Sequence, residues 1–280
     1  MRHRSLLILP ILAATALLLG ACGDDSSSDD DTTTTAAESG SGDEMSLDGV
    51  TLVNDGQLTV CSDMPYEPFE FQNEDGETEG FDYDVVSAMG EQLGVEVEFV
   101  TTPFDGIIAA MGGGSCDMIA SAMTITEERA EQVDFTEAYF DADQSLLVLT
   151  ENEDTYATLD DLADATIGVQ SGTTGATYAT ENQPEGSTIK EFATGAEMFP
   201  ALVSGEIDAA LQDLPVNAYR ATTAPDEFVV TETFSTGEQY GFAVPKDSAL
   251  LAPLDAALAA IRDDGTYDEV YATWFGEPTN

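Results

Sequence analysis

Residues 117–136 read DMIASAMTITEERAEQVDFT, and the fold follows from how this stretch changes character. Met118 to Ala122 forms an apolar run suited to a buried strand, Met123 to Thr126 a polar exit, and Thr126 an N-cap for a helix. Glu127 and Glu128 fall in the first turn, where the helix dipole favours negative charge; Arg129 falls there too, where a cation is disfavoured. An arginine set against the dipole, beside exposed N–H groups at a strand's C-terminal end, reads as an anion receptor. The alternative is a surface arginine paired with Glu128 or Asp134.

Outward from this stretch the same strand–helix rhythm continues. LTVCSD (58–63) reads as a buried strand leading into a Pro-bearing turn with Tyr66 and Phe69. GFDYDVVSAMGEQLG (80–94) has helical spacing and a stop at Gly94, VEVEFV (95–100) alternates as a strand, and FDGIIAAMGGG (104–114) is a helix ending in glycines. After Tyr139-Phe140, SLLVLT (145–150) suits a crossover strand, and a second series opens: LDDLADA as helix, TIGVQ as strand, SGTTGATYATEN as a loop entering a helix, STIKEFA as strand, AEMFPALVSGE as helix and IDAALQD as strand. Met111-x-x-Gly114-x-x-Asp117 and Leu202-x-x-Gly205-x-x-Asp208 share their spacing, and in that register Ser121-Ala122 corresponds to Gln212-Asp213. Two such units imply two similar α/β lobes with mostly parallel sheets, each presenting polar residues at a strand end. YGFAVPK and the amphipathic helices of 248–276 lack a sheet of their own and return to the first lobe, which gives two chain crossings and a hinged cleft.

The chain has 280 residues and a formal charge of −48, with 55 acidic and 7 basic residues. That length supports two cores, and that charge argues against nucleic acid or an anionic membrane surface as partner. Arg2, His3 and Arg4 precede an apolar core from Leu6 to Leu19, too short for a comfortable span, and Leu19-Gly20-Ala21-Cys22 follows. This reads as a lipoprotein signal over 1–21, with Cys22 diacylated, followed by a disordered tether over 22–45. Cys61 and Cys116 sit in apolar strand contexts and in an oxidising compartment, which suits either a disulfide or two small buried hydrophobes.

Catalytic parts are scarce. The only histidine, His3, lies in the leader, so the remaining chain cannot form a Ser-His-Asp or Cys-His pair. It also lacks a Cys/His metal cluster, a P-loop and a dinucleotide fingerprint, so no cofactor or metal is implied. What stands out is a set of receptors for a zwitterion. Arg129 offers a fork for a carboxylate, with N–H groups near Ala122 and Thr124. Ser171-Gly172-Thr173-Thr174 opens a helix and adds a second anion site, or else is a plain turn capped by Thr173. Asp213 could hold an ammonium or simply cap the next helix, and Tyr66 and Phe104 could stack on a ligand or belong to the core.

The segments PYEPFEF, GFDYDVVSAM, FDGIIAAM, MTITEER, VDFTEAYF, IGVQSGTTG, GEIDAALQD and DDGTYDEVYATWFG occur in one order over about residues 56–277. Together they resemble the bacterial extracellular solute-binding proteins of family 3, the binding components of polar amino-acid ABC importers. The resemblance implies an α/β, two-lobe periplasmic-binding-protein type II (Venus flytrap) fold with two chain crossovers at the hinge. Lobe 1 would span 46–141 and 239–280, and lobe 2 would span 142–238. It implies that Arg129 grips an α-carboxylate beside Ala122 and Thr124, with Thr174 contributing from lobe 2. Asp213 would bind the α-ammonium with the Ser121 carbonyl, and Asp63, Tyr66 and Phe104 would line the side-chain pocket. Gln170 and Gln212 would stand where selectivity is tuned. The partners implied are an amino acid, the transmembrane permease subunits and the membrane through Cys22, the protein itself being a monomeric non-enzyme. Another zwitterion such as ectoine, a cyclohexadienyl dehydratase-like activity with Glu67 or Asp63 as general acid, and a surface-anchored sensor are the rival expectations.

Overall fold

Two five-stranded sheets organise residues 45–276, the residues that the computed structural model describes. The leader, Cys22 and all but the last residue of the expected tether lie outside them. In chain order the strands are β1 (Gln57–Ser62), a small hairpin of β2 (Phe71–Gln72) and β3 (Thr78–Glu79), β4 (Glu96–Thr101), β5 (Met118–Ile119), β6 (Val133–Phe135), β7 (Phe140–Leu149), β8 (Thr166–Gln170), β9 (Thr188–Phe192), β10 (Ala209–Asp213), β11 (Phe228–Tyr240) and β12 (Ala243–Pro245). The first sheet has the order β4-β1-β5-β12-β6 and the second β11-β7-β10-β8-β9.

Both sheets are mixed, not mostly parallel. In the first, β1 runs parallel to β4 and β5, while β12 is antiparallel to β5 and β6. In the second, β8 is parallel to β9 and β10, while β7 is antiparallel to β10 and β11. The antiparallel members are the strands that carry the chain between sheets or bring it back. Central β1 is buried from Leu58 to Ser62, as a strand covered on both faces must be; edge strand β4 alternates exposed Glu96 and Glu98 with partly buried Val97 and Phe99.

The repeated motif has a physical purpose in each sheet. Asp117 accepts from the Thr59 N–H at 2.8 Å and the Val53 N–H at 2.7 Å, and its own N–H donates to the Thr59 carbonyl at 2.8 Å. Asp208 does the same at β8, accepting from the Thr166 N–H at 2.8 Å and donating to the Thr166 carbonyl at 2.8 Å. Gly114 and Gly205, at φ 82° and 71°, turn the chain into these clasps. Each aspartate fastens an incoming strand to the start of its parallel neighbour, which is why the spacing recurs.

The helix Phe81–Leu93 begins at Gly80, where an added Cβ would lie 2.1 Å from the Phe69 carbonyl oxygen, and ends at left-handed Gly94. Its buried face (Phe81, Val85, Val86, Met89) shares a core with Leu58 and Val60 of β1 and with Leu254, Ala257, Leu258 and Ile261 of the returning helix Leu251–Asp263. LDDLADA forms only a 3-10 turn, Leu159–Leu162: a Thr158–Asp161 capping box opens it, and Ala163 at ψ 130° with left-handed Asp164 at φ 63° ends it after one turn. The helix Leu214–Thr223 and the long strand β11 join the elements read from sequence. Cys61 and Cys116 form a disulfide within the first sheet's second core cluster.

Strands β7 and β11 pair along their length, from Tyr240↔Phe140 to Phe228↔Leu149. At one end Phe140 and Tyr240 pack with Phe69 and Phe81; at the other, Phe228 packs with Leu147, Met198 and Leu202. Both chain crossings are therefore one hydrogen-bonded ribbon, anchored in a separate core at each end.

Candidate functional site

The strand ends of both sheets meet at one small cavity. Asp63, Tyr66, Phe104, Ser121, Ala122, Thr124 and Arg129 line it from the first sheet's side, and Gln170, Thr173, Thr174 and Asp213 from the second. The free space is about 10 Å³, roughly one water's worth, because the side chains close on one another. A wider opening of about 720 Å³ adjoins it across Phe104 and Arg129, with Glu128, Glu181 and Glu238 on its walls.

Thr126 caps the turn Glu127–Ala130 as its sequence implies, accepting from the Arg129 N–H at 3.2 Å. The Arg129 guanidinium donates to the Thr124 carbonyl at 2.7 Å and, across the cleft, to the Gly172 carbonyl at 3.1 Å, and lies 5.2 Å over the Phe104 ring. Asp134 pairs instead with Lys246 at 2.8 Å, so the surface-pair alternative for Arg129 does not hold there. Burial lowers the Arg129 pKa from its usual value, and the charges of Asp213 and Glu238 oppose that shift. Two carbonyls are modest partners for a half-buried guanidinium; an anion would satisfy it better.

Asp213 ends β10 and accepts three side-chain hydrogen bonds. Its Oδ2 accepts from the hydroxyls of Tyr66 at 2.7 Å and Tyr240 at 2.6 Å, and its Oδ1 from Gln144 Nε2 at 2.5 Å. Burial pushes its pKa up, and the tyrosine hydrogen bonds pull it back. The three donors are neutral, so no cation hydrogen-bonds to this buried carboxylate, which suits it to an ammonium.

The floor between these two ends is held from below. Ser121 Oγ accepts from the Asp63 N–H at 3.0 Å and donates to Glu70 Oε1 at 2.8 Å. Ala122 takes a left-handed φ of 44°, stabilised by its N–H donating to Asp82 Oδ2 at 2.9 Å. Burial pushes Glu70 well above the usual carboxylate range, with the Asp82 charge adding to the shift, and raises Asp82 to about 7 against the N–H of Ala122 and the hydroxyl of Tyr139. At the opposite wall Gln170 Nε2 donates to Asp63 Oδ2 at 2.5 Å, joining the two sheets; burial raises Asp63, and the Gln170 bond lowers it.

Of the ligand-binding residues that the family resemblance implies, Gln212 alone is not on this cavity; it is buried behind it, its amide donating to Asn217 Oδ1 at 2.9 Å. Thr173 caps the helix Thr174–Asn182 and also lines the cavity. Gln144, Tyr240 and Glu238 were missed. Gln144 sits between Asp143 and Ser145, just before the apolar run of β7, and its complete burial comes only with the fold. Tyr240 reads as an ordinary strand aromatic, and only the fold brings it to Asp213.

Comparison with known proteins gives these contacts a setting. The sequence profile of the bacterial extracellular solute-binding proteins, family 3, matches residues 58–277. The chain is 34% identical to the ABC transporter arginine-binding protein 1 of Escherichia coli (strain K12), over 75% of this chain and 87% of that one. It is 30% identical to a probable histidine-binding protein of Neisseria gonorrhoeae, over 95% and 94%. Among solved structures it is similar to an ancestral arginine-binding protein bound to arginine, at TM-score 0.74 and 38% identity, covering 79% of this chain and 99% of that one. An ancestral amino acid-binding protein described as a precursor of cyclohexadienyl dehydratase matches at TM-score 0.74 and 42% identity, covering 79% and 96%. The match to the profile spans most of the described residues and both sheets, and the chain belongs to the bacterial extracellular solute-binding proteins, family 3.

Proposed function

We propose that this chain is the extracytoplasmic substrate-binding lipoprotein of an ABC importer, which captures an L-amino acid between its lobes (46–141 with 239–280, and 142–238) and delivers it to a membrane permease. Cys22 is the lipidation site in this reading, and the protein acts as a monomer without catalysis. The observation that carries it is the placement of Arg129 and Asp213 on one cavity bounded by both sheets. Arg129, with Ala122 and Thr124 beside it and Thr174 opposite, takes the α-carboxylate; Asp213 and the Ser121 carbonyl take the α-ammonium; Asp63, Tyr66 and Phe104 meet the side chain, with Gln170 and Gln212 tuning it. A cationic side chain fits best, since Asp63 lies there with the Glu197 charge close enough to raise its pKa, and relatives are named for arginine and histidine. The side-chain bonds now filling the cavity are exchanged for ligand bonds as the lobes part and close again, so ligand shifts the population toward the closed form.

One observation favours a second reading, a cyclohexadienyl dehydratase-like activity: the likeness to that enzyme's ancestral precursor. Glu67, one of its two candidate acids, is exposed and lines an outer pocket with Phe199 and Arg220, which leaves Asp63. The test is a melting-temperature screen of the detergent-solubilised full chain, stripped of ligand by unfolding and refolding, against the amino acids, ectoine and prephenate. Stabilisation by L-arginine, L-lysine or L-histidine, lost in Arg129→Ala, supports the importer reading. Stabilisation by ectoine alone, or turnover of prephenate, overturns it.

A further inference from the structure

We propose that Glu238 is a built-in competitor for the ligand's α-carboxylate, an inference that rests on the amino-acid site above. Its place in the fold is unusual. The β7/β11 register shifts between Phe234↔Gln144 and Glu238↔Ala142, so Ser235, Thr236 and Gly237 bulge from the ribbon. Gly237 takes a φ of 67° and its N–H donates to Asp143 Oδ1 at 3.3 Å. Glu238 is the first residue back in register, two residues from the Tyr240↔Phe140 end of the ribbon.

From there one oxygen of its carboxylate, Oε2, accepts from Thr174 Oγ1 at 2.8 Å, Thr124 Oγ1 at 3.1 Å and Gln144 Nε2 at 3.1 Å. Thr124 comes from the first lobe, Thr174 from the second and Gln144 from the ribbon itself. The two threonine hydroxyls stand beside the Arg129 guanidinium on the same cavity, where the proposed site receives the α-carboxylate. A hydroxyl carries a single proton and donates it to one acceptor at a time. Thr124 and Thr174 therefore serve Glu238 or the ligand, not both, and an incoming carboxylate meets donors already held by an anion of its own kind.

Two consequences follow. Glu238 weakens binding by the strength of the bonds that must be surrendered, and it returns to those donors as the ligand leaves, which speeds release. Importers hand their cargo on, so a displacing group inside the site favours turnover over retention. The same three bonds also tie both lobes to the ribbon. If tying were their main effect, removing the charge would weaken binding by loosening the closed form, so the two roles predict opposite signs.

The experiment is calorimetric titration of the detergent-solubilised full chain with L-arginine, L-histidine and L-glutamine, with dissociation followed by stopped flow, in the wild type, Glu238→Gln and Arg129→Ala. Circular dichroism checks that each variant is folded. Glu238→Gln is expected to bind about tenfold more tightly, the scale of one charge-assisted hydrogen bond, with most of the gain in a slower dissociation. Unchanged or weaker binding in Glu238→Gln, while Arg129→Ala abolishes binding, overturns the competitor and leaves the site standing. Wild-type affinity in Arg129→Ala, or no binding of any of the three by any protein, overturns the site and the competitor together.

Discussion

Asp213→Asn separates a binding role from a structural one by sign. The substitution keeps volume and removes a buried charge whose pKa is already raised by desolvation. In the free protein the new amide's oxygen can accept from Tyr66 and Tyr240, as Oδ2 does now. Its nitrogen would face the nitrogen of Gln144, now 2.5 Å from Oδ1. Gln144 Oε1 has no hydrogen-bond partner, so a turn of that amide presents an acceptor instead, at the cost of its Nε2 bond to Glu238. Relief of desolvation and loss of charge-assisted bonds then nearly cancel, and the melting temperature should move by no more than about 3 °C, roughly 1 kcal/mol for a domain of this size. Binding should behave otherwise. Removing one partner of a buried charged pair costs about 2–5 kcal/mol, or roughly 30- to 4,000-fold in Kd. The assay is a thermal melt of ligand-stripped protein, read by the fluorescence of its single tryptophan, Trp274, beside calorimetry with L-arginine. Affinity within about threefold of wild type would refute the assignment of Asp213 to the ammonium, and a fall of 10 °C or more without ligand would make it a structural residue.

The aspartate clasps should be equivalent: Asp117→Ala strands the N–H groups of Val53 and Thr59, and Asp208→Ala that of Thr166 and the Tyr156 hydroxyl. Each is expected to cost about 2–4 kcal/mol, and denaturant melts should show comparable losses. Stability should also fall with rising pH through Asp82. The folded carboxyl titrates at about 7 against 3.8 unfolded, so between those values the unfolded chain has released a proton that the native one holds. Melting temperature should decline from pH 5 to pH 7, and the decline should be shallower in Asp82→Asn; parallel profiles would contradict this.

Much of the site was legible because its residues sit at strand ends, which apolar runs and their polar exits mark directly. Arg129 drew notice by opposing a helix dipole, and Asp213 by its register with Ala122 across the repeat. The residues that complete the site were hidden for a physical reason. Gln144, Tyr240 and Glu238 come from the two crossing strands, whose local pattern reports only extended backbone; their meeting with Asp213 and Thr174 depends on pairing between segments about ninety residues apart. The sheets are mixed because the crossing strands join the second and the returning strand β12 runs antiparallel in the first, and strand direction is invisible to periodicity.

Because β7 and β11 are hydrogen-bonded to each other, the connection between the lobes is a single two-stranded strap. A strap clamped at both ends resists stretching and sliding and gives way to bending and twist. In the closure proposed above, relative lobe motion would thereby be confined to few degrees of freedom, and one well-chosen inter-lobe distance would carry most of the information about the state of the whole molecule. A partner that must tell a loaded protein from an empty one would need to touch it at only two points.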